Sequence, residues 1–186
     1  MKNQMGFSLL ELLIAIALFG IVVSLATMSM STAKSANLTA LARQLHSDLQ
    51  AIRLDAMTRG MSTDSRGFGL RFTASNTYEL FEYVDNNASG HTAFKWDGAD
   101  EEIGVVKKDF PTSVSVTIGA SGVVTDDDVC VCLYGRHGLA HDKNWGMLQR
   151  TYVLRDLRVG QPRCLVIDEI RIREGVWNGG SCTVSQ

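Results

Sequence analysis

The chain has 186 residues, enough for one domain plus an appendage, and 45% of them are hydrophobic, which can supply a real core. Lys and Arg total 18 against 20 Asp and Glu, so no global field marks a nucleic-acid or membrane-surface binder, and any such role needs a local patch. Two prolines and 17 glycines, with no repeat or biased segment, fit a turn-rich β region rather than a low-complexity one.

Residues 1–6 are short and polar, with one basic side chain, Lys2. From Phe7 to Leu25 the chain is apolar except at Ser8, Glu11, Gly20 and Ser24. As a helix this run of ~19 residues rises about 28 Å, close to the hydrocarbon thickness of a bilayer. A secretory signal cut near Ser24-Leu25-Ala26 is the plain alternative, but the run is longer than the usual signal core and carries an acid. An ionisable group at that depth costs on the order of 3 kcal/mol, so Glu11 needs a partner and a purpose, and a simple anchor tolerates it poorly too.

The helical pattern continues past the apolar run. Leu38, Leu41, Leu45, Leu49, Ile52 and Ala56 recur at intervals of three and four and predict one apolar stripe, with Arg43, His46, Ser47, Gln50 and Arg53 on other faces. Arg59-Gly60 reads as the stop, a cation in the last turn and a glycine past it. A helix over 7–60 would be roughly 80 Å long, its first part (7–26) membrane-spanning and its second lying on something apolar.

After Gly60 the texture changes to β-prone runs: Gly67–Phe72, Thr77–Val84, Glu101–Lys108, Ser113–Ile118, Val129–Tyr134, Leu148–Arg155, Arg163–Arg173 and Ser181–Val184. Val114, Val116 and Ile118 alternate with Ser113, Ser115 and Thr117, as in a strand with one wet face. Asp85–Asp100, Gly119–Asp128, Gly135–Gly146 and Glu174–Gly180 read as turns. The fold class expected is α+β: a long N-terminal helix packed on an antiparallel sandwich or rolled sheet formed by one globular domain, 61–186.

The string Gly6-Phe7-Ser8-Leu9-Leu10-Glu11-Leu12-Leu13-Ile14 closely resembles the processing motif of type IV prepilins. The resemblance implies a leader, 1–6, removed by a prepilin peptidase between Gly6 and Phe7, then N-methylation of Phe7. It also implies a pilin-like fold, a bacterial inner-membrane anchor with a periplasmic head, and partnership with other pilin or pseudopilin subunits and an assembly platform. The physical logic agrees: the new amine on Phe7 sits at apolar depth, and Glu11 of a neighbouring subunit can neutralise it. Many major pilins have a proline in the helix where this chain has Met28, which favours a minor subunit. Leu49-Gln50-Ala51-Ile52-Arg53-Leu54-Asp55-Ala56-Met57-Thr58-Arg59-Gly60, Cys132-Leu133-Tyr134-Gly135-Arg136-His137-Gly138 and Cys164-Leu165-Val166-Ile167 resemble the H-type minor pseudopilins of type II secretion and related pilus minor pilins.

Four cysteines, Cys130, Cys132, Cys164 and Cys182, follow the helix and allow three pairings. Cys130 and Cys132 share a strand face and are poorly placed to bond each other, so Cys164–Cys182 is the favoured bridge, pinning the tail. No Cys-x-x-Cys pair supports zinc, His137 and His141 lack the helical His-Glu-x-x-His setting, and Asp126-Asp127-Asp128 lacks calcium-loop spacing. The Ser121 neighbourhood is no nucleophile elbow. No catalytic set emerges, and neither an enzyme nor a cofactor is expected. Arg171 and Arg173 alternate in a C-terminal run with Arg136, Arg150, Arg155, Arg158 and Arg163 in the same half. Some related minor pilins bind DNA through a Gly-Arg-x-Arg tail during uptake; here Ile170 replaces the glycine, and Asp168, Glu169 and Glu174 offer competing partners.

Overall fold

The computed structural model describes residues 9–59, 66–84, 96, 101–120, 122, 124, 132–135, 137–142 and 146–184, the side chains of 25–32, 66 and 101 excepted. One helix, α1 (Leu9–Arg59), precedes the strands β1 (Arg66–Ala74), β2 (Thr77–Val84), β3 (Glu101–Asp109), β4 (Val114–Ile118) and β5 (Cys132–Tyr134). They are followed by β6 (Ala140–His141), β7 (Arg150–Asp156), β8 (Arg163–Ile167), β9 (Ile172–Trp177) and β10 (Cys182–Val184).

The strands form two antiparallel sheets, ordered β3-β2-β1-β5-β6 and β10-β9-β8-β7-β4. Their inner faces and one stripe of α1 close a shared core. The stripe is Leu38, Ala42, Leu45, Leu49, Ile52 and Ala56, stepping by four and three alternately to follow the 3.6-residue turn. Leu41, expected in the stripe, is only half-buried at its edge; the small Ala42 takes the centre. Against the stripe lie Phe68, Leu70, Phe72 and Tyr78 from the first sheet, and Tyr152, Leu154, Leu165, Ile167 and Ile172 from the second. Phe72 and Tyr152 join the sheets with ring centroids 5.0 Å apart.

Polar contacts fix how the helix sits. Asp48, on α1, accepts from Lys108 Nζ at 2.7 Å through one carboxylate oxygen and from the Tyr78 hydroxyl at 2.6 Å through the other. Burial, then the bond to Asp48, pushes the Tyr78 pKa up. Arg59, in the last turn, pairs with Asp55 at 3.1 Å and Glu82 at 3.6 Å and lies over Phe68. His46 Nε2 lies 3.3 Å from the Ile172 carbonyl on the opposite sheet.

The outer face of the first sheet carries Phe81, Tyr83 and Leu133 under Trp96. Gly69 permits this: a Cβ there would stand 2.7 Å from Phe81 Cζ and 2.9 Å from Leu133 Cδ2. Arg71, on the same face, binds Glu79 and Glu102 and stacks on Phe81 at 5.0 Å, while Trp96 Nε1 donates to Glu102 at 3.2 Å. Burial alone would lower the Arg71 pKa, but the bonds to Glu102 and Glu79 outweigh it and raise it. Between β2 and β3 the register slips at Leu80/Glu82, and Gly104 takes the positive φ of 62° that this bulge requires.

Two sequence readings are corrected. Arg163–Arg173 is not one strand but the hairpin β8–β9, bent at Asp168–Arg171, so most of the turn expected at Glu174–Gly180 is strand through Trp177. Within Gly135–Gly146, read as loop, Ala140–His141 forms a short edge strand beside β5. Residues 129–131 of the expected Val129–Tyr134 strand lie outside the described residues.

Candidate assembly site

The first half of α1 is the most unusual surface of the molecule. Leu9 is 81% exposed and Phe19 70%, and Leu10, Leu12, Leu13, Ile14, Ile16, Leu18, Ile21, Val22 and Val23 are all exposed as well. They lie on every side of the helix, so no single apolar stripe faces a core. An apolar surface of this kind in water is unstable without lipid or other helices to cover it. Glu11, exposed in the first turn, is its single charge: Leu12–Ala33 contains no Asp, Glu, Lys or Arg. A carboxylate near a helix N-terminus complements the macrodipole and accepts hydrogen bonds from any cation brought to it.

Among the described residues no helix is long and apolar enough to cross a membrane. The apolar side chains are described from Leu9 to Ser24, about 24 Å of helix, so part of the span expected over 7–26 lies outside them. Gly6 and Phe7, the expected processing and methylation positions, also lie outside the described residues.

The other sequence candidates are scattered. Cys164 and Cys182 are joined, with Cα atoms 5.9 Å apart, and tie β10 to β8. Gly175 lies beneath the bridge, where a Cβ would be 2.9 Å from Cys182 Sγ. Cys132 is a buried thiol in the inner face of β5, its pKa pushed up to about 12 by burial; Cys130 lies outside the described residues. Arg171 and Arg173 do not alternate on one strand as expected, because Arg171 falls in the hairpin bend and only Arg173 is on β9. Both are exposed around a hollow lined by Asp168, Glu169 and Ile170, and Arg173 is paired with Asp168. Arg155 donates to the Ala120 carbonyl at 2.9 Å, and Arg158 pairs with Asp156 at 3.6 Å. His137 lies in a turn and His141 on β6; Arg136, Ser121 and Asp126–Asp128 lie outside the described residues.

Sequence reasoning missed Asp48, Lys108 and Tyr78, which hold the helix to the head. Asp48 is an acid beside an apolar stripe, which is a weak signal, and its partners are 60 and 30 residues away.

A family model described as the prokaryotic N-terminal methylation motif matches residues 1–27. No curated protein and no solved structure matches the chain. The match supports a type IV prepilin-like protein, a filament subunit of the pilin or pseudopilin kind, and is consistent with membrane anchoring. The α+β arrangement of one long helix followed by antiparallel sheets is consistent with a pilin-like fold.

Proposed function

We propose that the chain is a minor pseudopilin or minor pilin of the H type, a structural subunit near the tip of an envelope filament or in the priming of its assembly. One observation carries the reading: a single continuous helix has one half docked in the head and the other half exposed, apolar and marked by one acid. A prepilin peptidase cuts after Gly6, and Phe7 becomes the methylated N-terminus. Before assembly the exposed half spans the inner membrane, with the head in the periplasm, an oxidising compartment that suits the Cys164–Cys182 bridge. On extraction by the assembly platform, neighbouring subunits replace lipid around the helix. Glu11 then receives the cationic amine of an adjacent subunit, and the cost of leaving either charge alone at apolar depth sets the register.

Mass spectrometry of the mature chain tests the premise: the expected N-terminus is methylated Phe7, and any other start refutes it. Glu11→Ala tests the role, with cleavage retained but incorporation into filaments reduced at least tenfold. Normal assembly of that variant ends the register model.

The alternative is a DNA-binding minor pilin for uptake, resting on the exposure of Arg171 and Arg173. Phosphate would have to displace Asp168 from Arg173. A gel shift with the purified chain decides it: retardation at low salt, lost in Arg171→Ala/Arg173→Ala, supports uptake, and no retardation removes it.

A further inference from the structure

The head has two ends, and its contacts with α1 show which of them faces the apolar arm. On the second sheet the Ile172 carbonyl lies 3.3 Å from His46 Nε2, and Glu174 lies 4.0 Å from Arg43. Arg43 is nearer the arm than His46, so β9 runs toward the arm and the turn after it points that way. On the first sheet Tyr78 meets Asp48 and Glu82 meets Arg59, so β2 runs away from the arm. The antiparallel register carries the direction of β9 across its sheet: Arg163 opposes both Val176 and Leu154, and Val114 opposes Asp156. The turns at 157–162 and 178–181 are therefore the arm-facing end of the second sheet.

The head also reaches down toward the arm. Leu38 is buried, and Lys34, one turn nearer the arm on the same face, is still half-buried. Lys34 is the first charge after Glu11 and closes the uncharged run Leu12–Ala33, which rises about 33 Å as a helix. With that run in the bilayer, Lys34 stands among the headgroups and the lower end of the head stands near them.

At that end Leu157 is 93% exposed, at a turn position that small or polar residues normally occupy. The turn is braced. Buried Asp156 accepts from the Arg158 backbone N–H at 2.9 Å and from the Ser113 hydroxyl at 3.2 Å. The Val159 N–H donates to the Asp156 carbonyl at 3.0 Å, and the Val159 side chain packs on the core. Leu157 is thus held outward, and the Arg158 side chain beside it is 56% exposed. A lone exposed leucine needs no explanation. A leucine with a cation, on a rigid turn at the lipid-facing end, matches a membrane interface, where apolar groups enter and cations meet phosphate. At the opposite end Ile170 is 58% exposed but follows Asp168 and Glu169, which anionic lipid repels.

We propose that the Leu157–Arg158 turn is the head's contact with the bilayer surface: Leu157 enters the interface, and Arg158, with Lys34, binds the phosphates of anionic phospholipid. The contact rests on the membrane-anchored reading above and adds to it a second attachment, on the head itself.

The test reconstitutes the full chain into vesicles of phosphatidylcholine, alone or mixed with phosphatidylglycerol. Lipid brominated near the headgroup end of its acyl chains quenches any tryptophan that touches it. Leu157→Trp puts the reporter on the turn and Ile170→Trp puts it on the far bend; both positions are exposed, so neither change disturbs the core. With phosphatidylglycerol, bromination should reduce the fluorescence added by Leu157→Trp at least twofold and leave that added by Ile170→Trp unchanged. Phosphatidylcholine alone, high salt, or Arg158→Gln combined with Leu157→Trp should each at least halve the quenching. No quenching at the turn, or equal quenching at both positions, overturns the contact, and quenching indifferent to Arg158→Gln overturns the phosphate role. Flotation separates the two readings: a chain that does not float with vesicles refutes the anchor and the contact together, whereas a floating chain without quenching at the turn refutes the contact alone.

Discussion

The two halves of α1 are built from similar apolar residues and put them to opposite uses. In the second half Leu38, Ala42, Leu45, Leu49, Ile52 and Ala56 form one stripe, flanked by Arg43, His46, Asp48 and Arg53, and the stripe disappears into the head. From Leu9 to Ser24 the apolar side chains surround the helix and none of the described residues covers them. One half is amphipathic and finds its partner within the same molecule; the other is apolar all round and is complete only in lipid or among other helices. The lesson is that stability of the head and competence for assembly are written on one helix but in separable residues.

The sharpest way to break that separation is by truncating matched leucines. Leu45→Ala, at 0% exposure in the stripe, should cost the head about 2–5 kcal/mol in denaturant unfolding. Leu13→Ala, 62% exposed, should leave it unchanged. If Leu13→Ala destabilised the isolated subunit comparably, the first half would not be free of the head. Next in size is the bridge: replacing Cys164 and Cys182 by Ala should cost about 2–4 kcal/mol and loosen β10 without affecting processing. Asp48→Ala, which leaves Lys108 and Tyr78 without their shared acceptor, should cost about 1–3 kcal/mol by chemical denaturation.

At neutral pH the smallest expected effect is that of the Cys132 thiol, which shows itself only in alkali. The Cys132 thiol ordinarily titrates near 9 and is pushed up to about 12 in the head. A raised pKa favours the protonated form in the folded state, so its contribution is fully present below about pH 9 and is lost as pH rises from about 9 to about 12. Tyr78 and Tyr134, also raised by burial, act in the same direction. Cys132→Ala should flatten part of the decline in a pH series of thermal midpoints.

How much could be read in advance follows from how local each signal was. That one helix runs to Arg59 was legible because an apolar run, a stripe at intervals of three and four and a final cation are patterns within nearby residues. β2 was read correctly as Thr77–Val84, since its aromatic and branched residues end at clear turns. The β8–β9 hairpin was missed because its bend, Asp168-Glu169-Ile170-Arg171, has no glycine or proline to mark a turn. β6 is two residues long and exists only because β5 is beside it. The Asp48–Lys108–Tyr78 contacts join residues 60 and 30 positions apart, so a linear pattern shows at most the acid beside the stripe and not what it binds.

The continuity of α1 also makes it a lever. From Leu38, where the head first grips it, to Leu9 the free arm is about 44 Å long. A tilt of about 10° at the grip swings the tip by about 8 Å, roughly the distance between packed helix axes. The Asp48–Lys108–Tyr78 contacts therefore brace the angle of that arm, and under the register role proposed for Glu11 their stiffness would decide which neighbour the carboxylate meets.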